Sequence, residues 1–221
     1  MSTTHEIVLT PVTTKVRFYT SVDNGSYIPS HWHRAIEIIY IQTGALTVTV
    51  ESHTQELTAG QCILINSNVV HSTQCTIPNT AIVFQIPLDF IETYIPQVRS
   101  LLFHLPEGSA DPKERTKLDI FKNTLEKMQI ANDMQPDGFL LRFNSLLFEV
   151  LFQLYHSFST KVMHSDFSKK KKELDRLNPV LQYTTVHYNE PISIQEIADV
   201  ACLQPGYFCR FFKNNMGTTF L

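Results

Sequence analysis

Between Thr14 and Ile86 the chain is built mostly of short runs rich in Val, Ile, Thr, Phe and Tyr, each broken by a turn signal. KVRFYTSV, AIEIIYIQ, ALTVTVES, QCILIN and AIVFQIP read as strands. DNGS at 23–26, TG at 43–44, AG at 59–60, NSN at 66–68 and IPN at 77–79 read as the turns between them. Many short strands at this spacing predict an all-β barrel or sandwich over about residues 5–92.

The period then changes. In KERTKLDIFKNTLEKMQ, Leu118, Phe121, Leu125 and Met128 recur at spacings of three and four, which predicts an amphipathic helix. Pro136 and Asp137 open the next helix, with Asp137 as its cap. Its body, FLLRFNSLLFEVLFQLYHSF (139–158), is apolar at thirteen of twenty positions. A helix apolar on so many sides must be covered on more than one of them. The barrel and a second copy of the chain would do this, so a homodimer is expected, its helices spanning about 113–162. SDFSKKKKELDR follows, with four consecutive lysines that read as a solvated basic linker over 169–178.

Composition narrows the class. The 221 residues are 43% hydrophobic and 18% charged, enough apolar material for a packed core and no case for disorder. MSTTHEIVLTPVTT shows no basic stretch followed by an apolar run, so no signal peptide is expected. No uncharged apolar run approaches the roughly 20 residues a membrane span requires. The four cysteines are scattered and form no CxxC pair, which fits a reducing cytoplasm better than a disulfide framework or zinc ribbon. The net charge of −3 is uneven: residues 169–221 hold seven Lys+Arg and five Asp+Glu, the more basic end.

Chemistry concentrates first in HWHRAIE, residues 31–37. On a regular strand alternate side chains share a face, so His31, His33 and Glu37 present two imidazoles and a carboxylate together. Gly44 follows seven residues after Glu37 and would end the strand pair. In LTAGQCILINSNVVHS a tight AG turn leads to a buried strand and then to His71. This layout resembles the two motifs of the cupin barrel. The resemblance implies that His31, His33, Glu37 and His71 are positioned to bind a divalent metal such as Fe, Mn, Ni, Cu or Zn. The same groups at a barrel mouth also suit direct hydrogen bonds to a polar organic ligand, with Trp32 and Tyr40 nearby.

The carboxy-terminal third carries the second constellation, PISIQEIADVACLQPGYFCRFFKNNMGTTF (191–220). Ser193 and Glu196 form a capping box that starts a helix through Val200. Pro205 suits the first turn of another helix, which Gly217 would end in a left-handed cap. Tyr207, Phe208, Phe211 and Phe212 have core spacing. Helix, short turn, helix is the arrangement whose second helix enters the DNA major groove. The run resembles the first helix-turn-helix of the AraC family of transcription regulators, through Ile192, Ser193, Glu196, Ile197, Ala198, Leu203, Tyr207, Phe208, Arg210, Phe212, Lys213, Gly217, Thr219 and Phe220. The order of barrel, helices and basic tail resembles that family over the whole chain.

The resemblance implies an α+β multidomain protein: a cupin-type sensing and dimerisation domain (1–168), a linker, and a first helix-turn-helix unit (179–221). It places Gly206, Cys209, Arg210, Lys213, Asn214 and Asn215 at DNA. Arg210 is the base-reading candidate, because a guanidinium bridges guanine O6 and N7; Lys213, Asn214 and Asn215 are assigned to phosphates. Two departures stand out. Gln204 occupies the helix-cap position where the family has Ser, and no second helix-turn-helix follows, as in a fragment, so DNA affinity is expected to be weak and salt-sensitive. The leading expectation is a cytoplasmic, non-enzymatic regulator sensing a small polar metabolite, such as a sugar. The alternative is a metal-dependent cupin oxygenase or isomerase with a helical tail that has no role at DNA.

Overall fold

The computed structural model describes residues 3–162 and 169–220. Its sheet is organised by two long antiparallel strands, β4 (Ala35–Val50) and β7 (His71–Pro87), which pair along most of their length. The second half of β7 takes β2 (Arg17–Asp23) on its free edge, and β6 (Cys62–Ile65) pairs with the first half of β4. The other halves carry β3 (Tyr27–Trp32) and β5 (His53–Thr58), with the short β1 (Thr4–His5) added in parallel to β3. The β4–β7 ribbon thus belongs to two sub-sheets at once.

It changes sub-sheet at Gly44. The register slips between Thr43 and Ala45, and Gly44 sits at φ +75, where a Cβ would lie 1.9 Å from the carbonyl oxygen of Pro78. Only glycine tolerates that approach. Gly44 therefore bends a continuous strand instead of ending a strand pair, and the Ile77–Asn79 stretch opposite it lies inside β7, not in a turn. A glycine and a proline that read as punctuation are here absorbed as a bulge.

Strand parity then sorts the side chains. Ile39, Ile41, Leu46, Val48, Leu57 and Ile65 from both halves form one buried cluster between the sub-sheets. Ile36, Ile38, Tyr40, Ile82, Phe84 and Ile86 point the other way. They pack under α1 (Leu88–Glu92), α2 (Pro112–Met134) and α3 (Phe139–Ser157), together with Leu118, Phe121, Leu125 and Met128 as the helical spacing requires. Asp111 caps α2, with its carboxylate accepting from the Lys113 N–H and Pro112 in the first turn. The start of α3 departs from expectation: Gly138, left-handed at φ 78, is its N-cap, and Asp137 makes no cap contact. A small hairpin, β8 (Leu101–Phe103) with β9 (Ser159–Lys161), closes this layer. α3 buries Phe143, Leu147, Val150 and Leu154 but leaves Leu141, Phe148, Phe152 and Tyr155 exposed, so among the described residues a single face is covered.

The remaining helices are α4 (Lys169–Asp175), α5 (Asn178–Val186), α6 (Ile194–Val200) and α7 (Pro205–Met216). They form a second cluster around Leu174, Leu177, Val180, Ile197, Ala198, Phe208, Phe211 and Phe212. The segment read as a basic linker is thus structured. Leu174 at the end of α4, Leu177 in the turn and Asn178 at the start of α5 are buried, the two leucines in the cluster that contains Trp32 of the sheet. Among the described residues no helix is long and apolar enough to cross a membrane.

Candidate functional site

β3 ends at Trp32 and β4 begins at Ala35, with a bend at Arg34, so HWHRAIE is not one regular strand. The bend nevertheless aims His33 and Glu37 at each other, with His33 Nε2 2.6 Å from Glu37 Oε2. His71, the first residue of β7, pairs with His31 in the adjacent strand. The result is a buried cluster in which the ligand atoms of His31, His33 and His71 all lie within 4.8 Å of one another.

Each imidazole is held the same way. His31 Nδ1 lies 2.9 Å from Pro29 O, His33 Nδ1 3.1 Å from Ala35 O, and His71 Nδ1 3.0 Å from Val69 O. A carbonyl oxygen only accepts, so every Nδ1 carries the proton and the other ring nitrogen is directed into the site. His33 Nε2 lies within hydrogen-bond distance of Glu37 Oε2 at 2.6 Å. His71 Nε2 is 3.6 Å from Glu37 Oε2, beyond hydrogen-bond reach, and is a buried nitrogen without a hydrogen-bond partner.

Electrostatics reinforce the pairing. Burial pushes the Glu37 carboxyl up, but the contacts from His33 and His71 outweigh it and hold it well below the usual carboxylate range. Burial disfavours charge on His71, and the facing Glu37 more than offsets this, raising its pKa. His31 shifts down through burial first and the neighbouring His71 second. Among the cluster's neighbours His5 is depressed to about 4, by burial and then by His33 and Arg34.

The cluster lies at one side of a cavity of about 470 Å³ between the sub-sheets. A polar relay crosses the cavity. Arg17 donates to Glu6 Oε1 and to Gln85 Oε1, both at 3.1 Å; Gln85 Nε2 then donates to Glu37 Oε2 at 3.0 Å. Tyr19, Ser21, Asp23 and Asn79 add hydroxyl, carboxylate and amide groups to the wall. Thr4, His5 and Glu6 from the amino-terminal segment also line the cavity. Sequence reading missed Arg17, Gln85 and Glu6. The signal for the first two was parity: Arg17 shares its strand face with Tyr19 and Ser21, and Gln85 is the one polar residue of AIVFQIP.

Two assigned pocket residues lie elsewhere. Tyr40 and Trp32 are even-numbered, on the faces opposite Glu37 and His31. Tyr40 packs toward the helices and donates to Glu126 Oε1 at 2.8 Å. Trp32 is fully buried among the residues of the helical unit.

In that unit, Ser193 and Glu196 form the capping box at the start of α6, and Ala201–Gln204 turn the chain into α7. Gly217 ends α7 at φ 78. Gly206, Cys209, Arg210, Lys213 and Asn214 are exposed along the outer face. Asn215 is not: it is buried, its side-chain amide donating to Phe211 O at 2.8 Å, because residue 215 falls on the same helical face as Phe208, Phe211 and Phe212. Tyr207 also differs from its core assignment, being half exposed against Phe211.

With this geometry in view, residues 18–86 match the model of the family described as Cupin domain. The chain therefore contains a cupin domain. It is 25% identical over 199 residues to the probable transcriptional regulator LumQ of Photobacterium leiognathi, covering 86% of this chain and 68% of that protein. It is 24% identical over 229 residues to the uncharacterized HTH-type transcriptional regulator YdeC of Bacillus subtilis (strain 168), covering 98% of this chain and 75% of that protein. Among solved structures, a RmlC-like cupin from Shewanella frigidimarina NCIMB 400 aligns at 25% identity and TM-score 0.32, over 35% of this chain and 72% of that one.

Cupin domains often hold a divalent metal, and the residues present fit one. Three imidazoles converge through tied Nδ1 atoms, and a buried, unpartnered His71 Nε2 with a carboxylate beside it is a donor set suited to Zn, Fe, Mn, Ni or Cu. Such an ion would be held by His31, His33 and His71, with Glu37 adjacent, and would supply Lewis acidity.

Proposed function

We propose that this chain is a ligand-responsive, DNA-binding transcription regulator of the AraC type, not an enzyme. The observation that carries the reading is the joining of a cupin cavity to a capped two-helix unit whose second helix presents Arg210 and Lys213 on its outer face. A helix–turn–helix with a free basic face on its second helix suits the major groove. Similarity to two proteins named as transcriptional regulators supports it.

The cavity suits a small polar metabolite rich in hydroxyl groups, such as a sugar. Its wall alternates acceptors (Glu37, Asp23) with donors and mixed groups (Arg17, Tyr19, Asn79, Gln85), which matches a ligand able both to donate and to accept. Occupancy of the site by a divalent metal is part of the same proposal. The exposed α3 stripe of Leu141, Phe148, Phe152 and Tyr155, at spacings of seven, four and three, supports a homodimer through this face. Sedimentation at micromolar concentration is expected to give a dimer that Phe152→Glu splits into monomers.

The test of the central reading is fluorescence anisotropy with labelled duplex DNA over a salt series. Binding that weakens steeply with salt is expected, and Arg210→Ala should lower preference for a selected site about tenfold or more. Lys213→Ala should weaken all sequences alike. No DNA retained at low salt would sink the reading. One tightly held metal per chain with substrate-dependent oxygen uptake would favour the cupin-enzyme alternative instead.

A further inference from the structure

Trp32 is the single tryptophan of the chain, and it belongs to two parts of the molecule at once. Its backbone lies in β3 between His31 and His33, two residues of the imidazole cluster. Its indole is fully buried among Leu177, Val180, Ala198, Phe208 and Phe212 of the helical unit. The indole N–H donates to the backbone oxygen of Asn215 at 2.8 Å. That carbonyl is among the last four of α7, which an α-helix leaves without internal partners. A residue of the sheet thus both fills the helical core and caps the end of α7.

The other segment that supplies an imidazole is tied to the same helices. The Asn68 N–H donates to His33 O at 2.9 Å, joining the two site segments. Asn68 Nδ2 donates to Asp175 Oδ1 at 2.6 Å and to Asn178 Oδ1 at 3.3 Å, while Lys171 Nζ donates to Ser67 O at 3.1 Å. Three residues beyond Asn68 lies His71. Both stretches that build the cluster on the inside therefore hold the helical unit on the outside.

We infer that Trp32 couples occupancy of the histidine cluster to α7. An occupant that draws the three imidazoles together restrains the backbone at 31–33 and 67–71, and so restrains the helices docked on it. Coupling of this kind is reciprocal: whatever engages α7 changes the affinity of the cluster by the same factor. Its meaning as regulation rests on the function proposed above, while the coupling itself is a property of the fold.

The experiment uses Zn²⁺ alone, a closed-shell ion without redox chemistry, and two readouts. These are the fluorescence of Trp32 and hydrogen exchange of the 205–216 amides. Zinc is expected to bind at one per chain, shift Trp32 emission, and slow exchange in α7 by about fivefold or more. His33→Ala should abolish uptake and both responses. Trp32→Phe should keep zinc uptake, measured by mass spectrometry, but lose the α7 response. Zinc bound with unchanged emission and exchange overturns the coupling; so does a full α7 response in Trp32→Phe, or no zinc uptake at all, which leaves the cluster without this input. The native emission and exchange decide the matter by themselves should Trp32→Phe fail to fold. DNA binding measured on the same samples separates the two proposals. An α7 response without salt-dependent DNA binding removes the regulator reading alone, and DNA binding without an α7 response removes the coupling alone.

Discussion

The sheet and the helical unit bury their apolar side chains by different means. The sheet folds on itself, so Ile39, Ile41, Leu46 and Val48 meet across the sub-sheets, while its outer face is covered by α2 and α3. The helical unit consists of four short helices, and such helices owe their stability chiefly to tertiary packing. Its cluster is completed from outside by Trp32, with Val70 packed against it. The barrel interior closes without α4–α7, whereas α4–α7 lean on the barrel. A unit this small buries too little surface to be strongly stable by itself, and borrowing one large aromatic side chain from a neighbour supplies part of what it lacks.

The comparison is broken most directly at Trp32. Trp32→Ala is expected to cost about 3–5 kcal/mol, the range for deleting a buried large aromatic, and to fall on the helical unit. Hydrogen exchange should show α5–α7 opening while the amides of β4 and β7 stay protected. Equal loss of protection in both regions would mean that the barrel depends on the dock as well.

Gly44→Ala acts on the other side of the comparison. The added methyl has no room beside Pro78, and about 3 kcal/mol of barrel stability should be lost. A urea midpoint within error of the native chain would show that the β4–β7 bend does not need the close approach.

Two smaller changes sharpen the contrast within the helices. Ser193→Ala removes the capping-box acceptor of α6 and should cost about 1 kcal/mol, read as faster exchange at the start of α6 only. Gln204 caps α7 without any side-chain hydrogen bond, so Gln204→Ser should add about 0.5–1 kcal/mol to that helix. A destabilised α7 in that variant would show that Gln204 makes a contact more valuable than a cap.

Much of the candidate site was legible because its residues are close in sequence and strand parity is strict. His31, His33 and Glu37 converge as their odd numbering suggests, although a bend at Arg34, not a regular strand, brings them together. The same parity was available for Trp32 and Tyr40, and following it would have moved both out of the pocket. Asn215 was misassigned for a related reason: it follows the exposed Lys213 and Asn214 in sequence but shares the buried helical face of Phe208, Phe211 and Phe212.

Local sequence carries the helical spacing of α2, the α6 capping box, the left-handed end of α7 at Gly217 and the apolar strand runs, though not where β4 and β7 continue through Gly44 and Pro78. Each is written in residues within one helical turn or one strand pleat of each other, where side-chain spacing and backbone preference act directly. The tertiary structure alone decided that Arg17, Gln85 and Glu6 reach the histidine cluster, and that the indole of Trp32 reaches a carbonyl 183 residues away. Those contacts depend on the sheet's register and on where Gly44 bends it. Register is fixed by the fit of two whole surfaces, so no short stretch of sequence states it.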